Sequence, residues 1–247
     1  MKISDHIHIV ASGESGFSLT NPFDCTVYLI DGKDECALID AGVGVEPERI
    51  LNEIKKSGIK PECINKILLT HGHGDHAGGA KILSELLGAK VYAMDPAATF
   101  IRDGDIEHLS LTSAIEAGVY EKGYRFRPCD TLPLIEGEKI QVGLLTLKVV
   151  SSEGHSAGHC CYVMQEGDAT VLFAGDSVQC GGKIALQAIW DCDLQKYIST
   201  IRKLNELRPD MLLPAHGAFA VSRGYIHLQK ACSILDTLAL PKNTIGE

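Results

Sequence analysis

Residues 70–76 read Thr-His-Gly-His-Gly-Asp-His and directly follow the apolar run 67–69. Four side chains that can bind a metal fall within six positions of this stretch: His71, His73, Asp75 and His76. Imidazole nitrogens beside a carboxylate suit zinc, or iron and manganese where more oxygen ligands are present. Gly72 and Gly74 would give the backbone the freedom to bring these side chains together. We therefore predict a metal site here, in preference to a polar surface turn.

Other apolar runs along the chain also lead into a residue that can bind a metal. These are runs 37–39 before Asp40, 147–150 before His155, 171–174 before Asp176, and 211–213 before His216. Short apolar runs bounded by glycine or proline are typical of buried strands. Strand ends gather at one rim of a sheet, where ligand sites commonly form. The pattern predicts that these strands and the run before residue 70 share one site.

Taken in this order, the motifs resemble those of the metallo-β-lactamase superfamily of hydrolases. The matching stretches are Asp40-Ala-Gly, the motif at 71–76, Gly154-His-Ser-Ala-Gly-His159, Ala174-Gly-Asp176 and Pro214-Ala-His-Gly217. Together they extend over residues 25–217, so the resemblance covers most of the chain. It implies an α/β fold of four layers, an αββα sandwich of two mixed β-sheets flanked by helices, with the metal site on one edge. One domain over residues 1–247 is the expected organisation.

The resemblance also distributes the candidate ligands between two divalent metal ions. The ligands of one ion would be His71, His73 and His155. The ligands of the other would be Asp75, His76 and His216. The Asp176 carboxylate would bridge both ions. A single catalytic metal typically uses three protein ligands and a water, so this set suits two ions, with zinc expected and iron or manganese as alternatives.

Two further residues are expected to support the ligands. Asp40 would accept a hydrogen bond from a metal-binding histidine, although a helix or turn cap is the alternative for this residue. His159 follows His155 by four residues, and it would either contact the ligands or face the substrate.

Three loops exceed a minimal sandwich, at residues 11–24, 95–128 and 177–192. Loops near a fixed metal site commonly set specificity. The third loop holds Lys183, a candidate substrate contact, and Trp190, which would line the pocket or anchor the core. The middle loop is predicted to contain an amphipathic helix, or to mediate contact in a homodimer.

By resemblance, the predicted function is a dinuclear hydrolase in which a metal-bridging hydroxide attacks a small ester, lactone or thioester. Asp75 and Asp176 are the candidate catalytic residues, with Asp75 orienting the nucleophile or passing its proton to the leaving group. A phosphodiesterase is the alternative, as is a non-hydrolytic iron-dependent oxygenase or redox protein. Aspartate at 176, where the commonest zinc β-lactamases have cysteine, disfavours antibiotic hydrolysis. His73, where flavodiiron proteins usually have glutamate, disfavours the redox class.

Composition limits the partners and the location. The 247 residues contain 23 Lys and Arg against 32 Asp and Glu, a net charge of −9. Such a charge repels phosphate backbones, so a small molecule rather than nucleic acid is the expected partner. The sequence has no apolar stretch near the length of a membrane span, and its N-terminus lacks the order of a signal peptide. Nine cysteines without a Cys-x-x-Cys pair suit a reduced, cytoplasmic protein.

Overall fold

The computed structural model describes residues 1–245, and its first sheet has six strands in chain order. These strands are β1 (Ile7–Ala11), β2 (Val27–Asp31), β3 (Cys36–Ile39), β4 (Ile64–Leu68), β5 (Lys90–Met94) and β6 (Thr131–Leu134). Strands β1, β2 and β3 pair in antiparallel fashion, whereas β3 to β6 run parallel. The sheet is therefore mixed.

A second mixed sheet has five strands in the order β11-β10-β9-β8-β7. They are β7 (Lys139–Val142), β8 (Leu145–Ser151), β9 (Cys160–Glu166), β10 (Ala169–Gly175) and β11 (Met211–Pro214). Only the pair β10 and β11 is parallel. Both strands run towards the same end of the sheet, so Asp176 and His216 leave it side by side.

Seven α-helices and one short 3-10 helix, Pro61–Cys63, occupy the described residues. The α-helices are α1 (Pro47–Lys56), α2 (Gly74–Ala77), α3 (Ala80–Leu87), α4 (Ala97–Asp103), α5 (Leu111–Glu116), α6 (Leu194–Glu206) and α7 (Tyr225–Asp236). Pro47 opens α1, where its missing N–H costs nothing, and Gly58 follows the helix with φ +82°. Within residues 1–245, none of these helices has the length and apolar character needed to cross a membrane.

Three apolar layers hold the sandwich together. Between the sheets, Tyr28 of β2 packs edge-on against Phe173 of β10, with ring centroids 5.5 Å apart. Burial of an aromatic side chain of this kind stabilises a fold by ~1.5–3 kcal/mol. Outside the first sheet, Ile50 of α1 and Leu83 of α3 pack in one cluster with strand residues. Outside the second, Leu204 of α6 and other helix residues cover β9 to β11. The predicted αββα sandwich is confirmed.

One helix differs from its sequence prediction. The apolar stripe of Ala80, Leu83 and Leu87 predicts a single helix from about His76 to Leu87. The structure instead has α2 and α3, separated at Gly78-Gly79. A Cβ on Gly79 would lie 2.1 Å from the carbonyl oxygen of Ala41, so the backbones touch at this point. Close approach of the β3 loop thus interrupts the helix. The prediction of one domain over 1–247 stays a prediction, and residues 246 and 247 lie outside the described residues.

Candidate metal centre

The ends of five strands bring the predicted ligands together. Asp40 follows β3 and His71 lies just beyond β4, both in the first sheet. His155, Asp176 and His216 follow β8, β10 and β11 of the second sheet. The site therefore lies between the ends of two sheets, rather than along the rim of one sheet.

Three histidines form the first group of ligand atoms. His71 Nε2 lies 3.0 Å from His73 Nδ1, and His155 Nε2 lies 3.1 Å from the same His73 nitrogen. The Nδ1–H of His155 donates to the carbonyl oxygen of Ala185 at 2.7 Å, so Nε2 is the nitrogen without a proton in the neutral form of this ring. A hydrogen bond fixes the tautomer in this way at many metal sites. The three nitrogens converge as the ligands of one ion would.

Asp75, His76 and His216 form the second group. Asp75 Oδ2 lies 3.1 Å from His216 Nε2 and 3.4 Å from His76 Nε2. On their far sides, His216 Nδ1 lies 2.8 Å from Ser15 Oγ and His76 Nδ1 lies 2.9 Å from Asp40 Oδ2. Both rings are therefore oriented with Nε2 towards Asp75.

The Asp176 carboxylate lies between the two groups. Its Oδ1 is 3.5 Å from His76 Nε2, and its Oδ2 is 3.4 Å from His155 Nε2 and 3.5 Å from His216 Nε2. The side chain is only 7% exposed. One carboxylate thus faces ligand atoms of both groups.

Unsatisfied polar atoms test whether cations fit here. His76 Nε2 and Asp176 Oδ1 are buried and have no hydrogen-bond partner among the described residues. Leaving a buried polar group unpaired costs about 1–3 kcal/mol. Both atoms face the space between the ligand groups, where a divalent cation would pair with both of them. The residues present therefore fit divalent metal ions.

Burial and neighbouring charges shift the pKa values of the candidate ligands. Burial, followed by the neighbouring imidazoles, holds the pKa of His71 well below its usual value and lowers the pKa of His73 to about 3. Burial alone would raise the pKa of Asp176, but the charges of His216, His76 and His155 outweigh it and lower the value to about 2. Burial thus favours the neutral forms of His71 and His73, whereas the Asp176 carboxylate is ionised, and these are the forms that bind metals.

Asp40 touches His76 and the loop before it. Besides its contact with His76, Asp40 accepts a hydrogen bond from the backbone N–H of Thr70 at 2.8 Å and from its hydroxyl at 3.0 Å. Asp40 is buried and has φ +65°, a left-handed conformation that few residues other than glycine adopt. This geometry fixes the ring of His76 relative to the loop at 70–76.

His159 is fully buried and does not line the cavity described below. Its Nε2 accepts a hydrogen bond from the backbone N–H of Asp176 at 3.1 Å, so the proton is on Nδ1, which lies 2.8 Å from Ser152 Oγ. His159 was expected either to contact the ligands or to face the substrate. In the structure it contacts a candidate ligand residue, because it accepts the hydrogen bond from the backbone of Asp176.

Gly72 and Gly74 have a different role from the one expected. Neither has a positive φ. Instead, a Cβ on Gly72 would lie 2.5 Å from Leu109 Cδ2, and a Cβ on Gly74 would lie 2.8 Å from Leu111 Cδ2. The absence of a side chain at both positions lets the segment around α5 pack directly on the ligand loop.

A cavity of about 710 Å³ opens over the candidate ligands, with His73, Asp75, Asp176 and His216 in its wall. Residues of all three predicted loops line it, and so do Thr244 and Ile245. One wall is apolar and is formed by Leu109, Leu111, Ala114, Ala117, Val119 and Tyr120. Polar side chains also line the cavity, among them Ser15, Gln179, Lys183 and Gln187. Cavities with apolar walls and a few polar groups are typical of small-molecule sites.

Lys183 and Trp190 differ in their placement. Lys183 is the only lysine or arginine among the described residues that line the cavity. Trp190 is 55% exposed and packs against His108, with ring centroids 5.0 Å apart. It is absent from the described cavity lining and from the buried core. The sequence prediction that Trp190 lines the pocket or anchors the core was therefore wrong, because the tryptophan joins a surface aromatic cluster.

A family model described as the metallo-beta-lactamase superfamily matches residues 20–216. The chain belongs to this superfamily. The match includes all the candidate ligands, and the predicted family and the prediction of an enzyme are both confirmed. Some supporting contacts were not anticipated from the sequence: those of Ser15, the Ala185 carbonyl and Tyr120, whose hydroxyl contacts Asp75.

Among curated proteins, this superfamily member is similar to an atrochrysone carboxyl ACP thioesterase from Aspergillus fumigatus. The two are 27% identical over 191 residues, which is 77% of this chain and 37% of the relative. The lactamase-like protein aptB from Emericella nidulans is 30% identical over 192 residues, 77% of this chain and 50% of the relative. The chain thus spans half or less of the length of these two relatives.

Solved structures of the superfamily share the fold. A metallo-beta-lactamase family protein from Thermus thermophilus has a TM-score of 0.73 at 21% identity, covering 94% of this chain and 80% of that one. A metallo-beta-lactamase with a HARLDQ motif from Cronobacter sakazakii has a TM-score of 0.72 at 17% identity, with 96% of both chains covered.

Proposed function

We propose that this chain is a dinuclear metal-dependent hydrolase of small acyl thioesters. The observation that carries the proposal is the convergence of five imidazoles and two carboxylates on one end of an apolar-walled cavity. The thioesterase names of the curated relatives favour a thioester over an ester or lactone as the substrate. Zinc suits the nitrogen-rich ligand set, although iron and manganese bind similar sites.

Two groups of residues would hold the ions. His71, His73 and His155 would bind one ion, and Asp75, His76 and His216 would bind the other. Asp176 would contribute a carboxylate oxygen to each. When bound, two such ions activate water near neutral pH and polarise a carbonyl oxygen. Asp40 would orient the ring of His76, and His159 would hold the backbone of Asp176.

The chain's own contribution to the reaction is to position the reactants and move a proton. Water adds to the thioester carbonyl carbon, the carbon–sulfur bond breaks, and the products are a thiol and a carboxylic acid, which releases its proton to solvent. Asp75 is ionised, because the charges of His76 and His216 outweigh its burial and hold its pKa well below the usual value. It borders the cavity, so its ionised carboxylate would orient the attacking water, whose proton passes to the leaving sulfur.

The residues that line the cavity suggest the chemical character of the substrate. The apolar wall around α5 would bury an aliphatic or aromatic acyl chain, while Lys183 would attract an anionic group on the substrate. No hydrogen bond or ion pair is made by the Lys183 amino group within residues 1–245. The net charge of −9 gives the protein no general attraction for polynucleotides, so selectivity would arise inside the cavity.

The test is a substrate panel at matched metal loading. Metal-loaded protein would be assayed against acyl thioesters, esters, lactones, phosphodiesters and β-lactams, with Asp176→Asn as the control for contaminating hydrolases. We expect the highest kcat/KM for thioesters with a small acyl group. Cleavage of phosphodiesters or structured RNA without turnover of any acyl compound would overturn the proposal in favour of a phosphodiesterase. Oxygen consumption by an iron-loaded protein would instead favour the non-hydrolytic alternative.

A further inference from the structure

Two tyrosines from the segment after α5 pack against the ligand loop. The rings of Tyr120 and Tyr124 stack with centroids 4.9 Å apart and planes inclined by 24°. The glycines of the loop admit them, since a Cβ on Gly74 would lie 3.1 Å from Tyr120 Cζ and one on Gly78 would lie 2.2 Å from the Tyr124 hydroxyl. Both hydroxyl groups are therefore held against the loop, but they contact different kinds of atom.

The Tyr120 hydroxyl contacts Asp75 at two points. It donates a hydrogen bond to Asp75 Oδ1 at 2.9 Å and accepts one from the Asp75 backbone N–H at 3.0 Å. Tyr120 is 7% exposed, so water competes little for these bonds. A hydrogen bond to an ionised carboxylate is stronger than one between neutral groups.

The two oxygens of Asp75 thus have separate partners. Oδ1 faces Tyr120, whereas Oδ2 faces His216 Nε2 at 3.1 Å and His76 Nε2 at 3.4 Å. We propose that Tyr120 is a positioning residue that reserves Oδ2 for the second metal ion, an inference that rests on the proposed two-metal site. Tyr120 holds Asp75 as a ligand through one oxygen and prevents its carboxylate from turning.

The physical reason is the freedom of an aspartate side chain. Rotation of a carboxylate about its terminal bond is broad and roughly two-fold, so an unrestrained Asp75 would present either oxygen, or both, to a cation. With Tyr120 in place, this freedom is removed before the ion binds. Loss of a partner that orients a ligand typically lowers metal affinity or activity by about 10- to 100-fold.

Tyr124 offers a matched control within the same stack. Its hydroxyl donates to the backbone carbonyl oxygen of Val43 at 3.1 Å and lies 3.4 Å from that of Gly74. Its hydroxyl forms no hydrogen bond with a candidate ligand side chain. Tyr124→Phe therefore removes one buried hydroxyl beside the loop, as Tyr120→Phe does, without releasing a carboxylate.

The experiment compares zinc binding by the wild type, Tyr120→Phe and Tyr124→Phe. Stepwise dissociation constants would come from competition with a chromophoric chelator, and cobalt absorption spectra would report the coordination of each ion. For Tyr120→Phe we expect the affinity for the second ion to fall about 10- to 100-fold, with the first ion little changed and an altered spectrum for the second cobalt ion. Tyr124→Phe should bind both ions as the wild type does.

The outcomes separate this inference from the proposed function. A wild type that binds only one ion would remove the two-metal site itself. A wild type that binds two, together with a Tyr120→Phe variant of unchanged affinities and cobalt spectrum, would overturn the role of Tyr120 alone. Equal weakening in both variants would also overturn it, because a general loosening of the loop would then be the cause. Thermal unfolding of the metal-free variants would establish that each remains folded.

Discussion

At the residue scale, the proposal that the ligands hold two metal ions depends most on Asp176. Its two oxygens face His76 on one side and His155 and His216 on the other, at 3.4–3.5 Å. Its backbone N–H is held by His159, whose buried ring has no contact with the cavity. The charge of the Asp176 side chain can therefore be tested by Asp176→Asn. The position of its backbone can be tested by His159→Ala.

Asp176→Asn should lower metal affinity and turnover together. The change removes one negative charge from between the two ligand groups, and asparagine bridges cations poorly. The fold should be retained because the apolar residues of β10 are unchanged. Metal content and kcat would be measured beside Asp168→Asn, an exposed carboxylate in a turn that should tolerate the change. Unaltered activity in Asp176→Asn would contradict the bridging role.

His159→Ala should lower stability while leaving two-metal occupancy largely intact. The substitution leaves the N–H of Asp176 without a partner, which costs about 1–3 kcal/mol of unfolding free energy. Chemical denaturation would give that cost, and metal analysis would give the occupancy. Loss of one metal equivalent from a folded His159→Ala protein would show that His159 binds metal itself.

The candidate ligands could be read from the sequence because each follows a short apolar run. Asp40 and His159 were also expected to support them, but their other partners could not be predicted. Ser15 lies 201 positions before His216, and Ala185 contributes only a backbone carbonyl, for which no side-chain pattern exists. Tyr120 carries a suitable hydroxyl, yet nothing in the spacing of residues 117–124 indicates that it contacts Asp75.

At the element scale, buried strands were predictable and close backbone contacts were not. Strand β2 is buried along most of its length, and its continuous apolar run indicates this. The interruption between α2 and α3 instead depends on the β3 loop, which approaches Gly79 from a distant part of the sequence. Apolar periodicity contains no information about such an approach.

Gly79→Ala should therefore destabilise the fold. The added Cβ would lie 2.1 Å from the carbonyl oxygen of Ala41, a backbone atom that cannot move aside cheaply. Overpacking of this kind typically costs about 1–3 kcal/mol. Gly123→Ala is the control, since its Cβ would meet nothing within 4 Å and its φ is not positive. Equal unfolding free energies for the two variants would contradict the close contact.

At the scale of the whole molecule, an acidic protein presents one lysine to its cavity. Lys183→Met should raise KM for acyl thioesters with a second, anionic group by about tenfold, or ~1.4 kcal/mol. Neutral thioesters of the same length should be unaffected, and so should metal content. Lys139→Met, at an exposed position on β7, is the control. An equal rise in KM for neutral and anionic substrates would contradict an anion contact at Lys183.

Residues that follow strands of both sheets converge on one site. The most direct test of the two-metal proposal is therefore the number of metal ions that each chain binds. Candidate ligands that follow strands of both sheets form two groups, and Asp176 lies within 3.5 Å of ligand atoms of both. Gently purified protein, titrated with zinc and freed of excess, should approach two ions per chain by mass spectrometry and elemental analysis. Saturation at one ion per chain in the presence of excess metal would contradict the two-metal site.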